Sequence, residues 1–269
     1  MPSLSIITIN LNNAAGLRKT IKSVISQSCI NFEYIVIDGG STDGSTEVIK
    51  EFADHFAYWI SEPDHGIYQA MNKGIRWATG DYCQFLNSGD ILVSSTVTER
   101  MLKNANPATN IIIGNMLKAY AESNYFRDKG IGARQPTLYD FFRGSINHSP
   151  AYIPRRLFQK YGMYDESLRI VADWKWYLQA IVFGDEQVAY RNIDVTMFDM
   201  SGVSNTHNEL MANERGEVLK ELLAPGILAD YQNYWPLIDA GKRIRKYPLL
   251  IKLNYLIDRF LFQFEKHSL

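Results

Sequence analysis

The chain has 269 residues, with 28 Lys+Arg against 29 Asp+Glu for a formal charge of −1, and 46% of it is hydrophobic. That length and apolar content support a sizeable core, in one large domain or one domain with an appendage. The near-neutral balance argues against nucleic acid as the main partner, because such footprints are usually basic. The two cysteines, Cys29 and Cys83, offer neither metal-ligand spacing nor a disulfide framework. The opening Met-Pro-Ser-Leu-Ser-Ile-Ile carries no basic region before a long apolar core, and no run of about 18 apolar residues occurs. The expectation is a cytoplasmic protein with nothing spanning a membrane.

In chain order, residues 4–9 are continuous and β-branched, as in a strand buried on both faces of a parallel sheet. A polar loop, Asn10-Leu11-Asn12-Asn13, leads into a helix with Leu17, Ile21, Val24, Ile25 and Ser28 on one face. Residues 34–37 read as a second buried strand, and the following helix buries Val48, Ile49, Phe52 and Phe56. Strand, helix, strand, helix at this spacing predicts βαβ units and a parallel sheet. Residues 58–60 give a third strand. Ile67, Ala70, Met71, Gly74, Ile75 and Ala78 then recur at helical spacing, with Gln69, Asn72, Lys73 and Arg76 off the stripe.

Residues 82–86 form a short aromatic and aliphatic strand that breaks into Asn87-Ser88-Gly89-Asp90. Ser94-Ser95-Thr96 can cap a helix, and 111–113 is another strand. Residues 116–144 look aromatic and irregular, 154–161 and 172–183 helical, and 185–200 a strand with its connection. Near the C-terminus, a basic patch at 241–248 precedes a Pro-started helix. Leu249, Leu253, Leu256, Ile257, Phe260, Leu261 and Phe264 make one wide apolar face of that helix, and Ile251, Tyr255 and Phe262 a second strip. Basic residues beside such a helix suit an anionic membrane surface. Packing on the protein's own domain or in a homodimer is the alternative.

Three strand ends in series, after Ile9, Ile37 and Leu86, carry polar residues, and ligands of open α/β sheets bind beyond the carboxyl ends of the strands. Asp38 opens a Gly-rich turn where a carboxylate can accept from a base or ribose; an Asx turn explains the same residues. Asp90 can hold a divalent cation against a diphosphate, or can serve the turn alone. No G-x-G-x-x-G occurs, which weakens a nicotinamide-dependent oxidoreductase reading.

Over roughly residues 3–205 the chain resembles a family 2 glycosyltransferase with the GT-A fold. The carrying stretches are Ser5-Ile6-Ile7-Thr8 through Asn12, Gln27, Glu33-Tyr34-Ile35-Val36-Ile37-Asp38-Gly39-Gly40-Ser41-Thr42-Asp43-Gly44, and Ser61-Glu62-Pro63-Asp64-His65-Gly66-Ile67-Tyr68. They continue in Ala70-Met71-Asn72-Lys73-Gly74 and Phe85-Leu86-Asn87-Ser88-Gly89-Asp90, and resemble a bacterial subgroup that assembles surface polysaccharides. The resemblance implies a GT-A domain at 1–205, with a nucleotide-sugar half at 1–115 and an acceptor half at 116–205, followed by a helical extension at 206–269. It further implies inverting, metal-dependent transfer of a sugar from a nucleoside diphosphate donor to a saccharide or lipid-linked acceptor.

By the family pattern Thr8, Asn12, Asp38 and Asp64 lie around the nucleotide, and the donor set extends to Asn10, Gly39, Gly66, Asn72, Lys73, Asn87, Ser88 and Gly89. Residues 87–90 stand where the family carries its metal-binding Asp-x-Asp, but Asn87 and Gly89 replace acids, so Asp90 is the charged ligand for Mg²⁺ or Mn²⁺. Gly39 likewise stands where a second acid often follows Asp38, and Gln69 where close relatives tend to have Asp. In the acceptor half, Ala172-Asp173-Trp174 resembles the Glu-Asp motif whose Asp deprotonates the acceptor, so Asp173 is the expected base; spacing alone fits a first-turn helix acid. His148, Trp174 and Ser204 are candidate acceptor or phosphate contacts, and Arg155 and Arg156 offer phosphate-binding charge. Ser201-Gly202-Val203-Ser204 resembles a loop that closes over the site. The absence of Gln-x-x-Arg-Trp and of membrane spans points to non-processive transfer, at the inner face of the cytoplasmic membrane. A nucleotide-sugar-binding protein with weak or no turnover is the alternative that the eroded acidic motif leaves open.

Overall fold

A computed structural model describes residues 3–108, 110–121, 124–198, 208–244 and 252. The elements in order are β1 (Leu4–Asn10), α1 (Ala14–Ile25), β2 (Phe32–Asp38), α2 (Ser45–Glu51), β3 (Tyr58–Ser61), α3 (Ile67–Trp77) and β4 (Tyr82–Phe85). There follow β5 (Ile91–Leu92), α4 (Val97–Leu102), β6 (Asn110–Ala121), β7 (Asn124–Asp128), α5 (Leu138–Arg143), β8 (Ala151–Pro154), α6 (Arg156–Tyr161) and α7 (Ala172–Tyr177). The last are β9 (Gln187–Phe198), α8 (Asn208–Leu222) and α9 (Pro225–Ile244). The chain divides into two compact units, Met1–Gly216 and Glu217–Leu269. Residues 208–216, read from sequence as the start of the extension, therefore belong to the first unit.

In the first unit the strands run in the order β3-β2-β1-β4-β8-β6-β9-β5, with β7 paired to β6. β3, β2, β1 and β4 are parallel neighbours, as the βαβ spacing predicts. β8 enters antiparallel to β4 and β6, and thereby splices a mixed second half onto the parallel first half. Strand alternation sorts the side chains. Leu4, Ile6, Tyr34 and Val36 pack with Leu17, Ile21, Val24, Val48 and Ile49 of α1 and α2. Ile7 faces α3, so close that a Cβ on Gly74 would stand 2.4 Å from its Cγ2. Helix and sheet approach through that missing side chain, which explains a glycine on the buried stripe.

Several expectations need correction. Ser28 lies beyond α1, which ends at Ile25. Pro154, read as the start of a helix, is instead the last residue of the strand 151–154, where a missing N–H costs the ladder least, and the helix begins at Arg156. The stretch read as irregular after 116 continues β6 and turns into β7. The hairpin hides because its cross-strand contacts are polar, as in Lys118 to Asp128 at 2.8 Å. Residues 241–244, read as part of a separate basic patch, form the last turn of α9, which carries Pro236 inside it. The Pro248-started helix and its apolar strips lie outside the described residues.

Candidate active site

The carboxyl ends of β1, β2 and β3 stand in register as Asn10, Asp38 and Ser61. Asp38 is fully buried. Its carboxylate accepts from Asn10 Nδ2 at 2.6 Å, Ser41 Oγ at 2.6 Å, the Ser41 amide at 2.9 Å and Ser61 Oγ at 2.6 Å. Burial pushes its pKa up, but these donors outweigh it and hold the group below the ordinary carboxylate value. The loop after β1 joins the same network: the Asn12 amide donates to Ser41 Oγ, Thr42 N–H donates to Asn12 Oδ1, and Ala14 N–H donates to Asp43 Oδ2. Thr8 is also buried, with its hydroxyl 3.0 Å from that of Tyr34. Of the residues expected against the nucleotide, Thr8 meets Tyr34, while Asp38 and the Asn10 amide nitrogen bond to each other and to the Ser41 turn. They build the platform, and Asn12, Gly39 and Asp64 are its more accessible part.

Gly39 has a steric role on this platform. A Cβ there would stand 2.7 Å from Asp64 Oδ2, so the bare glycine lets the Asp64 carboxylate close down beside Asp38. Asp64 Oδ1 in turn accepts from Gly66 N–H at 3.0 Å, and Gly66, at φ 134°, takes a conformation that favours glycine. This turn launches α3.

Beyond β4 the Asn87–Asp90 turn continues along β1, with Leu86 N–H donating to Ile7 O and Ser88 N–H to Ile9 O. Thr20 of α1 clamps it, donating to Asp90 O at 2.7 Å and accepting from Gly89 N–H at 3.0 Å, while Asn13 Nδ2 donates to Ser88 O. Gly89 sits at φ 107°, a backbone conformation that favours glycine. Asp90 is buried, and the side-chain oxygens of Asn10 and Asn87 are buried without a hydrogen-bond donor among the described residues. Among the described residues no three His, Cys, Asp or Glu side chains cluster as a ready-made metal cage. One carboxylate with uncommitted amide oxygens nearby fits Mg²⁺ or Mn²⁺ of the kind that takes most of its oxygens from substrate phosphates and water.

α3 carries the link to the acceptor half. Tyr68 is buried, and its hydroxyl lies 2.5 Å from Ile170 O and 2.8 Å from Asp173 Oδ1. Burial, with the charge of Asp173, holds the Tyr68 pKa well above its ordinary value, so the phenol keeps its proton as a donor. Asp173 is half-buried in the first turn of α7; no side chain caps that helix. The loop before it is fixed by Glu214 of α8, whose carboxylate accepts from the amides of Arg169, Ile170 and Val171 at 2.7, 3.0 and 3.2 Å.

Most of the remaining expected contacts have partners within the chain. Asn72, read as lying off the buried stripe and as a donor contact, is buried: Nδ2 donates to Tyr164 O and Glu166 Oε1, and Oδ1 accepts from Tyr164 N–H. Lys73 pairs with Glu62 at 2.8 Å, and Gln69 Oε1 accepts from His65 N–H. Trp174 is core, its Nε1 shared between Phe141 O and Gly144 O. His148 stacks on Phe85 with centroids 4.9 Å apart, and its Nε2 lies 2.9 Å from Tyr164 Oη. Burial lowers the His148 pKa, against a smaller opposing effect of Asp173, so the ring is neutral at pH 7. Arg155 and Arg156 donate to Gly80 O and Pro107 O and thus brace turns. Ser204 and the 201–204 loop lie outside the described residues. Glu214 and Arg215 were not singled out from sequence, and neither was the contact of Tyr68 with Asp173; these partners are 41 to 105 positions apart, beyond any local pattern.

A parallel half-sheet with a polar carboxyl edge, spliced to a mixed half that presents an acid from α7, is the architecture of a GT-A-type transferase. The solved structures agree: TarS of S. aureus, residues 1–349 in complex with UDP-GlcNAc, aligns with a TM-score of 0.65 at 16% identity, over 87% of this chain and 72% of that one. A mannosyltransferase of Pyrobaculum calidifontis in complex with GDP-Man and Mn²⁺ aligns with a TM-score of 0.60 at 14% identity, over 94% and 83%. The chain spans 43% of the longer TarS structure. The chain belongs to glycosyl transferase family 2, whose model matches residues 5–164, and it is a glycosyltransferase. It is 34% identical to an uncharacterised glycosyltransferase of Mycobacterium tuberculosis, over 77% of this chain and 79% of that protein. It is 29% identical to a PGL/p-HBAD biosynthesis glycosyltransferase of Mycobacterium bovis, over 76% and 80%.

The Asp38 network generates a stability prediction. A depressed folded pKa means that the unfolded state protonates first, so the stabilisation is present above about pH 4 and is lost as pH falls through the lower folded value. Asp38→Asn is expected to cost about 1.5–3 kcal/mol at pH 7. In urea melts, the gap from wild type should narrow below pH 4; a gap independent of pH would refute the charged network.

Proposed function

We propose that this protein is an inverting, non-processive glycosyltransferase that moves a sugar from a nucleoside diphosphate donor to a saccharide or lipid-linked acceptor in polysaccharide biosynthesis. The observation that carries this reading is Asp173, half-buried at the start of α7, with Oδ1 engaged by a phenol that keeps its proton. Oδ2 accepts from no described residue and is the oxygen available to a substrate hydroxyl. Asp173 takes the acceptor proton as the new C–O bond forms, and the bond to the diphosphate breaks on the opposite side. The donor occupies the platform rim around Asn12, Gly39, Asp64 and the Asn87–Gly89 turn. The named partners of the fold relatives, UDP-GlcNAc and GDP-Man, support a sugar nucleotide without choosing its base. Transfer is assigned to 1–205, with the donor half at 1–115 and the acceptor half at 116–205; Glu214 and Arg215, in the first compact unit, extend that body.

A divalent cation would rest on Asp90 with the Asn87 amide oxygen, and its chemistry would be to neutralise charge on the departing diphosphate. The substitutions at 87 and 89 favour a second reading, a sugar-nucleotide-binding protein without turnover. Ile227, Tyr234 and Ile238 are exposed on α9 at spacings that share a helix face, which supports contact of the second unit with a membrane or a second copy. Among the described residues no helix is long and apolar enough to cross a membrane.

Asp173→Asn is expected to lower kcat by about 10²–10⁴-fold with donor affinity unchanged; equal turnover removes Asp173 from its role. A wild type that binds sugar nucleotides yet transfers to no acceptor in a broad panel establishes the second reading. In calorimetry, Mn²⁺ alone should bind weakly, and its affinity should rise with nucleoside diphosphate present; tight Mn²⁺ binding without nucleotide would contradict the shared-ligand site. Flotation with vesicles containing anionic lipid, against sedimentation of the free protein, separates membrane contact from dimerisation, and a monomer that ignores vesicles excludes both.

A further inference from the structure

Cations that lose solvent in the first unit generally have an acid beside them. Lys73 lies 2.8 Å from Glu62, Lys118 2.8 Å from Asp128, and Lys175 2.9 Å from Asp165. Arg215 departs from that pattern. It is half-buried, and its guanidinium lies 5.1 Å over the Trp174 ring. Its Nε is shielded from solvent with no acceptor among the described residues. None of its donors bonds to a described residue. The neighbouring Glu214 is not available, since three consecutive amides use its carboxylate. Burial lowers the Arg215 pKa, while the charge of Asp173, close enough to be felt, raises it.

A guanidinium has five N–H donors in a fixed fork and does not escape its charge by deprotonating. Held on an aromatic face beside the base, with its donors uncommitted, it is matched in shape and charge to the oxygens of a phosphate. Helix α8 sets this up in two adjacent residues: Glu214 fixes the loop that leads into Asp173, and Arg215 projects onto Trp174 one position after the base.

We propose that Arg215 binds a substrate phosphate group beside Asp173. This rests on the glycosyltransferase reading of the site and adds a ligand to it. The phosphate belongs either to the diphosphate of the donor or to a lipid-linked acceptor; in both cases Arg215 supplies positive charge directly, where a single carboxylate at 87–90 would hold a cation only weakly.

The test uses the full chain with Mg²⁺, and titrates inorganic pyrophosphate, UDP, GDP and a short-chain polyprenyl phosphate by calorimetry. Arg215→Met keeps a stem over Trp174 without the charge, Arg215→Gln removes charge with a different stem, and circular dichroism and melting temperature report folding. Both variants are expected to lose at least about tenfold in affinity for one class of probe, the size of a lost charge-assisted bond. A loss confined to pyrophosphate and nucleotides assigns the donor diphosphate; a loss confined to polyprenyl phosphate assigns the acceptor. A lower melting temperature with affinities within twofold of wild type makes Arg215 a packing residue and overturns the proposal. If wild type binds nucleotides and the variants match it, the inference alone fails. If wild type binds no nucleotide but holds polyprenyl phosphate through Arg215, the donor reading fails and the inference stands; binding of no probe at all overturns both.

Discussion

A carboxylate with no water around it must find its donors in the chain or give up its charge. Asp38 finds four, from Asn10, Ser41 and Ser61, and that requirement joins the ends of β1, β2 and β3 at one level. The neighbouring geometry follows. With Asp38 drawn inward, the next residue must leave room for Asp64, and only a glycine does so. Asp64 then orders the turn at Gly66, and the turn sets where α3 begins. From the first turns of α3, Tyr68 reaches Asp173 and Asn72 grips Tyr164 and Glu166. Buried Asp38 and half-buried Asp173 are thus linked through this chain of contacts rather than through any meeting of the two carboxylates.

The parallel half of the fold was legible because its strands are continuous apolar runs, a pattern that burial on both faces imposes. β1, β2 and β3 were located to within two residues at each end. In the mixed half the strand at 111–113, the helix from 172 and a strand within 185–200 were legible, but the hairpin of β6 and β7 was not, for the converse reason. β6 and β7 share the pair Lys118–Asp128, and Arg127 of β7 reaches Asp194 of β9, so charge stands where a strand signal would carry valine. The same blindness affected the site. Asn72 sits off the helical stripe and was read as facing outward, yet its amide matches the two backbone groups of Tyr164 and is buried on that account. Glu214 and Arg215 lie in a helix whose apolar periodicity is weak and whose partners are distant in sequence, so nothing local marks them.

The polar residues divide into two kinds that a motif does not separate. Thr8, Asn10, Asp38 and Asn72 have their donors and acceptors satisfied within the chain, apart from single amide oxygens such as that of Asn10. Replacing one of them would leave a partner buried without its bond, a cost paid in folding. Asn12, Asp64, Asp173 and Arg215 keep polar atoms uncommitted or partly exposed, and a ligand can use them without breaking the fold. Both kinds occur together in one recognisable string because the first positions the second.

This division bears on the loss of acids at 87 and 89. A cation site needs negative charge, and the turn retains a single carboxylate, clamped by Thr20 through its backbone. With fewer charges facing the diphosphate, less repulsion opposes the approach of an anionic donor, and less attraction holds a cation before the donor arrives. Binding of metal and of nucleotide then become mutually dependent, since each supplies what the other lacks. The role proposed for Arg215, beside Asp173, would shift the balance further toward neutralising a phosphate directly. On the proposed role of Arg215, a sparse acid set at 87–90 is compatible with an active enzyme, because a guanidinium that bonds to no described residue would share with a cation the work of neutralising phosphate.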